Sequence, residues 1–251
     1  MPKLTEIVTY LDRHLRHAEI ADWSGAWNGL QVENGGAVRK IGAAVDASAW
    51  AIERAVERGI SLLFVHHGLF WSGVQPVVGV TRRKIKTALD GDLAVYSSHL
   101  PLDMHPQLGN NALLARALGF RKCTPFFHEK GQFIGLKTKA ALTREELSRR
   151  LEKVLGAKPH LCPGGPSKTA RIGIVTGGAG AEVGRAAAEG VDTFITGEGP
   201  QHSYIAAEEL GVNLFYGGHY ATETFGVKAL AAHVSKRFRV PWEFLDHPTG
   251  L

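Results

Sequence analysis

The chain has 251 residues, 44% hydrophobic and 21% charged, an ordinary globular composition that allows one domain of ~250 residues or two of ~125. Two cysteines, Cys123 and Cys162, exclude a disulfide framework and a cysteine zinc site, and no apolar run approaches the ~18 residues of a membrane span. The net charge of +5 is spread over both halves, with 14 Lys and Arg against 11 Asp and Glu in residues 1–125 and 15 against 13 in residues 126–251, so there is no basic tail to mark a nucleic-acid binder.

The start, Met1-Pro2-Lys3-Leu4-Thr5-Glu6, leads into an amphipathic helix and not an apolar signal core, and the expectation is a reduced, cytoplasmic protein. Short β-branched runs then predict strands at Ile41–Val45, Leu62–Val65 and Leu93–Tyr96, with helices between them. Asp46 and Ser48 are placed to cap the first of these helices. Phe70 to Val80 is rich in Gly, Val and Pro and reads as a loop. Arg82-Arg83-Lys84 with Lys86 reads as a solvated helix face, though it can meet phosphates. A linker is expected near Cys123–Gly131, dividing a first lobe, residues 1–125, from a second, residues 126–251. The second lobe opens with a strand at Gln132–Thr138 and a helix capped by Thr143, with Glu146 three residues on. Cys162-Pro163-Gly164-Gly165-Pro166 reads as a turn-rich loop. Further strands are expected at Ile172–Thr176, Thr193–Thr196, Asn213–Tyr216 and within Arg239–Leu245. Gly59, Gly190 and Gly211 end helices as left-handed caps. Gly177-Gly178-Ala179-Gly180 joins a strand to a helix. Its amides can cradle a phosphate, but it lacks both the P-loop ending and dinucleotide spacing, so a tight turn is the better reading.

The two halves repeat one unit. Lys40–Val45 resembles Arg171–Thr176 at an offset of 131, and the same offset aligns Glu57–Val65 with Ala188–Thr196. It sets His66-His67-Gly68 against Gly197-Glu198-Gly199. The offset falls to 120 where Ser98-His99-Leu100-Pro101-Leu102-Asp103 meets Gly218-His219-Tyr220-Ala221-Thr222-Glu223. Each unit reads strand, helix, strand, helix, strand. The fold class is therefore α/β, two similar lobes from an internal duplication, with mostly parallel sheets covered by helices.

In open α/β sheets ligands gather at the carboxyl ends of strands, and three such ends carry imidazole or carboxylate: His66 and His67, His99 and Asp103, His219 and Glu223. These groups hold divalent metals, and together they suit two cations roughly 3.5 Å apart. His105, His128, His160, His202, His233 and His247 lack this context and default to structural or surface roles. Trp23, Trp27, Phe70 and Trp71 either line a pocket for a planar base or pack in the core.

The segments His66-His67-Gly68-Leu69-Phe70-Trp71, Ser98–Asp103 and Gly217–Glu223, with the early Trp27-Asn28-Gly29-Leu30-Gln31-Val32, resemble the signature segments of the NIF-three-like dinuclear metal proteins. Members are often labelled type 2 homologues of GTP cyclohydrolase I, and the match is to the short form. The resemblance implies that His66, His67, Asp103, His219 and Glu223 are metal ligands, with Glu223 bridging. It also implies a homohexameric ring with the metal sites facing an internal cavity. Two divalent cations per chain are expected, and nitrogen and oxygen donors admit Zn, Mn, Fe, Co, Ni or Mg. His99 is left either to support the ligands from behind or to transfer protons, and Glu198 either faces the same cleft or starts a helix. The implied activity is metal-dependent hydrolysis of a small molecule, nucleotide-like or a cyclic amide or amidine. The alternative is a non-catalytic role in metal storage or delivery, or as a ring-shaped scaffold for nucleic acid or protein. No membrane partner is expected.

Overall fold

The computed structural model describes residues 1–73 and 75–251. In chain order the elements are α1 (Leu4–His14), β1 (Gly29–Val32), β2 (Ile41–Asp46), α2 (Ala49–Glu57), β3 (Leu62–His67), α3 (Gly79–Asp90) and β4 (Ala94–Ser97). There follow α4 (Leu100–Asp103), α5 (Asn110–Ala117), β5 (Thr124–Glu129), β6 (Gln132–Lys139), α6 (Arg144–Leu155) and β7 (His160–Pro163). The last are β8 (Arg171–Ile174), α7 (Val183–Ala188), β9 (Thr193–Thr196), α8 (Gln201–Glu209), β10 (Asn213–Tyr216), α9 (His219–Phe238) and β11 (Trp242–Phe244). Among the described residues no helix is long and apolar enough to cross a membrane.

The chain forms two compact units, but not by a cut at residue 125. Unit 1 holds Met1–Leu102 and Gly226–His247; unit 2 holds Asp103–Phe225 and Pro248–Leu251. The reason lies in strand pairing. β11 returns to the first sheet and pairs in parallel with β2, Trp242 beside Ile41 and Phe244 beside Ala43. Asp103, assigned by sequence to the first lobe, thus belongs to the second unit.

In unit 1 the sheet order is β1-β4-β3-β2-β11, and all but the β1–β4 pair are parallel. Strands β2, β3 and β4 are apolar along nearly their whole length, as strands buried on both faces must be. Ala44, Leu63, Val65 and Val95 pack with Ile52 and Ala55 of α2 and Ala88 of α3. Ser48 caps α2, its Oγ accepting from the Ala51 amide at 3.1 Å. Asp46 does not cap; its carboxylate is committed to His67. The expected loop from Phe70 ends sooner than read, because Gly79 and Val80 already belong to α3; Val74 of that loop lies outside the described residues.

In unit 2 the order is β5-β6-β8-β9-β10-β7. The core β8-β9-β10 is parallel, and antiparallel pairs extend it on both sides. Alternation along the strands feeds two cores: Phe194 and Leu214 join Phe126, Ala186 and Ala207, while Ile195 and Phe215 join Leu114, Leu118, Leu147 and Leu151. Thr143 caps α6 as expected, accepting from the Glu146 amide at 3.1 Å. Gly59, Gly190 and Gly211 all have positive φ just past their helices. Two segments read as irregular are strands. The expected linker Cys123–Gly131 contains β5, which turns back through Lys130 and Gly131, both at positive φ, to pair with β6. The loop at Cys162 contains β7, an edge strand on β10.

The ladder register is what a duplicated unit requires. Ile41 pairs with Leu62 and Ile172 with Thr193, both at the offset of 131. Past β4 and β10 the Ser98 amide donates to Val65 O and the Gly217 amide to Thr196 O. Gly217 therefore stands at Ser98's place, and His219 lies one residue beyond the counterpart of His99.

Phe126 tests the corrected linker. It is fully buried in β5, against Phe127 and Phe194. Phe126→Ala is expected to cost about 3–5 kcal/mol of unfolding free energy in urea titration, whereas a residue in a linker would cost almost nothing.

Candidate metal centre

Unit 1 gathers three imidazoles. His66 and His67 end β3, and His99 follows β4. Their potential ligand atoms all lie within 4.8 Å of one another. Each ring is held at Nδ1. His67 and Asp46 are direct ladder neighbours, so strand register alone brings Nδ1 to 2.9 Å from Asp46 Oδ1. His66 Nδ1 donates to Ser98 O at 3.0 Å. His99 Nδ1 donates to Asp22 Oδ1 at 2.8 Å. Carboxylates and carbonyls accept only, so a proton sits on Nδ1, and in the neutral ring Nε2 carries the lone pair. That is the tautomer a metal-binding imidazole needs.

Asp22 is bound on every side. Oδ1 also accepts from the Trp23 amide at 2.7 Å, and Oδ2 accepts from the Leu100 amide at 3.0 Å and from Asn28 Nδ2 at 2.8 Å. Asn28 Oδ1 in turn accepts from the His99 amide at 2.7 Å. Burial alone would raise the Asp22 pKa; the hydrogen bonds from His99, Asn28 and Trp23 and the His99 charge outweigh it and hold the carboxyl below its ordinary range.

Unit 2 gathers one imidazole and several carboxylates. His219 opens α9 and Glu223 sits one turn on, so both share a helix face. His219 Nε2 is 3.2 Å from Glu223 Oε2, and Nδ1 is 2.8 Å from Glu198 Oε1. Glu198, two residues past β9, is thus neither a bystander nor a cap. Burial would lower the His219 pKa, but the two carboxylates outweigh it and raise it to about 9. Asp103 is buried, and its Oδ1 accepts from Asn110 Nδ2 at 2.7 Å and Thr176 Oγ1 at 3.4 Å. The residue after Thr176, Gly177, has φ +76, and a Cβ there would lie 2.2 Å from Glu223 Oε1. A Cβ on Gly197 would lie 2.6 Å from His219 Cα. The glycine run is the tight turn expected, leading out of β8, and its first residue also admits the Glu223 carboxylate.

Every residue singled out by sequence lies in one cluster or the other: His66, His67 and His99 in unit 1, and Asp103, His219, Glu223 and Glu198 in unit 2. Asp22 and Asp46 were missed as ring anchors. Asp46 was findable once the β2–β3 register placed it beside His67. Asp22 lies in an irregular segment with no periodic signal. Of the other histidines, His105 Nδ1 accepts from the amides of Gln107 and Leu108, and His247 stacks on Trp50. On α3, Arg83 and Lys86 pair with Glu53 and Asp90 as an ordinary solvated face.

A family model described as Duf34/NIF3 (NGG1p interacting factor 3) matches residues 2–249. A Deinococcus radiodurans protein named "GTP cyclohydrolase 1 type 2 homolog" is 41% identical, over 98% of this chain and 94% of its own length. An Escherichia coli protein of the same name is 38% identical, over 98% of each chain. Among solved structures, TTHA1606 from Thermus thermophilus is similar with a TM-score of 0.91 at 40% identity, covering 99% of this chain and 100% of its own. Reduced HcgD from Methanocaldococcus jannaschii gives a TM-score of 0.87 at 26% identity, covering 98% of each.

Two outcomes follow from this geometry. Gly177→Ala strains a positive-φ position and pushes on Glu223, so a loss of roughly 1–3 kcal/mol in thermal or urea unfolding is expected. In metal-free protein the His219 pKa stands above its ordinary value of 6.5. Its stabilising contribution is therefore complete below pH 6.5 and lost as pH rises through about 9. Urea midpoints measured across that window should fall as pH rises, and Glu198→Gln should move the fall to lower pH.

Proposed function

Because this chain belongs to the Duf34/NIF3 (NGG1p interacting factor 3) family, we propose that it binds two divalent cations and uses them to hydrolyse a small ring-containing substrate. The observation that carries this reading is the shared anchoring of four imidazoles. His67, His99 and His219 give Nδ1 to a carboxylate and His66 to a carbonyl. Anchoring at Nδ1 turns each Nε2 toward a ligand bond: His66, His67 and His99 offer it when neutral, and His219 offers it once the Nε2 proton beside Glu223 is displaced. The proposed ligands are His66, His67, Asp103, His219 and Glu223. With nitrogen and oxygen donors and no thiolate, the set fits Zn, Mn, Fe, Co, Ni or Mg.

Such cations supply Lewis acidity and a water of lowered pKa near neutral pH. The chain's own groups do the rest. Glu198 orients His219 and offsets the charge at its Nδ1 proton. At His219 Nε2 a metal would replace a proton, so binding is accompanied by proton release below about pH 9. His99, fixed by Asp22 and buried, takes or returns a proton at Nε2 during turnover. The names of the relatives support a nucleotide-like or cyclic amide substrate. A ring-shaped homohexamer, implied by the sequence resemblance, and a cytoplasmic location, expected from the two cysteines and the polar start, complete the proposal.

Elemental analysis of the full chain should find about two divalent metals per chain, with His66→Ala and Glu223→Ala each losing metal. His99→Gln should keep its metal and lose turnover by ~10²–10⁴-fold. Loss of metal from His99→Gln would instead make His99 a ligand. A fully metallated protein inert toward esters, phosphodiesters and cyclic amides would favour the metal-storage or scaffold alternative.

A further inference from the structure

Beside the imidazoles of unit 1 stand large aromatics that the core does not absorb. Trp23 is 49% exposed, Trp27 60% and Trp71 42%. Core packing, one of the two roles open from sequence, is therefore not theirs. Trp71 touches the cluster itself. Its ring centroid is 4.6 Å from that of His99 and 5.1 Å from that of His67, at interplanar angles of 66° and 57°. Among the described residues these are its ring contacts, and neither is face to face. Neither imidazole stacks flat on the indole, and the ring keeps a large exposed surface beside them.

Trp27 is held outward at a cost. Its φ is +43, a left-handed conformation that bulky side chains rarely adopt. Three neighbours enforce it. Gln31 Nε2 donates to Trp27 O at 2.9 Å, Asn28 is tied to Asp22 and to the His99 amide, and Gly29 follows at φ +110. Gln31 also accepts from the Leu69 amide at 2.7 Å, so one side chain ties the Trp27 turn to the exit of β3. Phe70 on that exit meets Trp27 edge-to-face at 6.2 Å. The space between the two segments is tight: a Cβ on Gly25 would lie 2.2 Å from Trp71 O. Strain maintained so as to present an apolar ring to solvent, next to a cluster of chemical groups, is the signature of a recognition surface.

We propose that Trp71 and Trp27 form an aromatic shelf that stacks a planar heteroaromatic ring of the substrate and presents it to the imidazole cluster of unit 1. This deepens the hydrolase reading and rests on it for the identity of the ligand as substrate; binding of the ring does not depend on metal. Trp71, in contact with His67 and His99, is the nearer platform. Trp27, braced by Phe70 and Gln31, is the outer one. Stacking is tolerant of ring identity, so the shelf selects flat rings as a class.

Titration calorimetry of the metal-loaded full chain with guanosine, uridine and ribose tests this, alongside elemental analysis and sedimentation of every variant. Guanosine and uridine should bind and ribose should not. Trp71→Ala should weaken guanosine binding roughly tenfold to a hundredfold with its metal content unchanged, and Trp71→Phe should recover most of it. Trp27→Gly should raise the melting temperature, by relieving the left-handed strain, while weakening guanosine. A merely structural Trp27 would leave binding untouched. Ring binding that persists and stays Trp71-dependent after the metal is stripped would keep the shelf even if the metal reading failed. Equal binding of ribose and guanosine, unaltered guanosine affinity in Trp71→Ala, or dissociation of an oligomer in the tryptophan variants would overturn the proposal; the last would make these rings a contact between copies of the chain.

Discussion

All the chemistry open to this protein depends on where four imidazole rings are held, and each is held at Nδ1. A hydrogen bond to a charged acceptor contributes roughly 1.5–3 kcal/mol, which offsets the rotamer entropy of a fixed side chain, up to about 2 kcal/mol. One such bond therefore suffices to lock His67, His99 or His219, while His66, held by a neutral carbonyl, is also enclosed completely by its neighbours. The Nδ1 bond also fixes the tautomer, since neither a carboxylate nor a carbonyl can donate. The anchors differ in origin. Asp46 comes from strand register, Ser98 from the chain just past β4, Asp22 from an irregular segment, and Glu198 from the turn after β9.

The duplicated positions have exchanged roles around this interaction. His67 and Glu198 occupy equivalent places, at the offset of 131. At the first, the ring is the group being held and Asp46 holds it; at the second, the carboxylate holds the ring of His219. Unit 1 has thereby become rich in imidazole and unit 2 rich in carboxylate. The one-residue difference past the third strand belongs to the same divergence. It lets His219 begin a helix, with Glu223 one turn on, whereas His99 precedes a helix of only four residues. Gly177 and Gly197 are the backbone counterpart of this arrangement, since any side chain there would occupy the space of Glu223 or His219.

Much of this was legible in the sequence because it is local. Parallel strands buried on both faces announce themselves as apolar runs, and Gly59, Gly190 and Gly211 mark helix ends by a conformation other residues avoid. The clustered residues were found because they lie at strand ends, where this class of sheet places its ligands. What was missed is non-local or weakly patterned. Edge strands β5 and β7 lack a clean alternation, and Pro125 and Pro163 made them read as turns. The return of β11 to β2 joins segments far apart in the chain, Trp242 with Ile41, so no pattern in either segment foretells it. Asp22 has a defined role only after Asn28, His99 and Leu100 have folded around it. Trp27 and Trp71 are apolar by type, and only the folded chain shows them turned toward solvent.

The most direct measurement is a competitive metal titration of the full chain carrying Asp46→Ala, against the unaltered chain. If Nδ1 anchoring is what prepares these imidazoles for a cation, the variant should stay folded and bind its divalent metal roughly 10- to 100-fold more weakly. Equal affinity in the two proteins, or an unaltered chain that takes up no divalent metal, would contradict it.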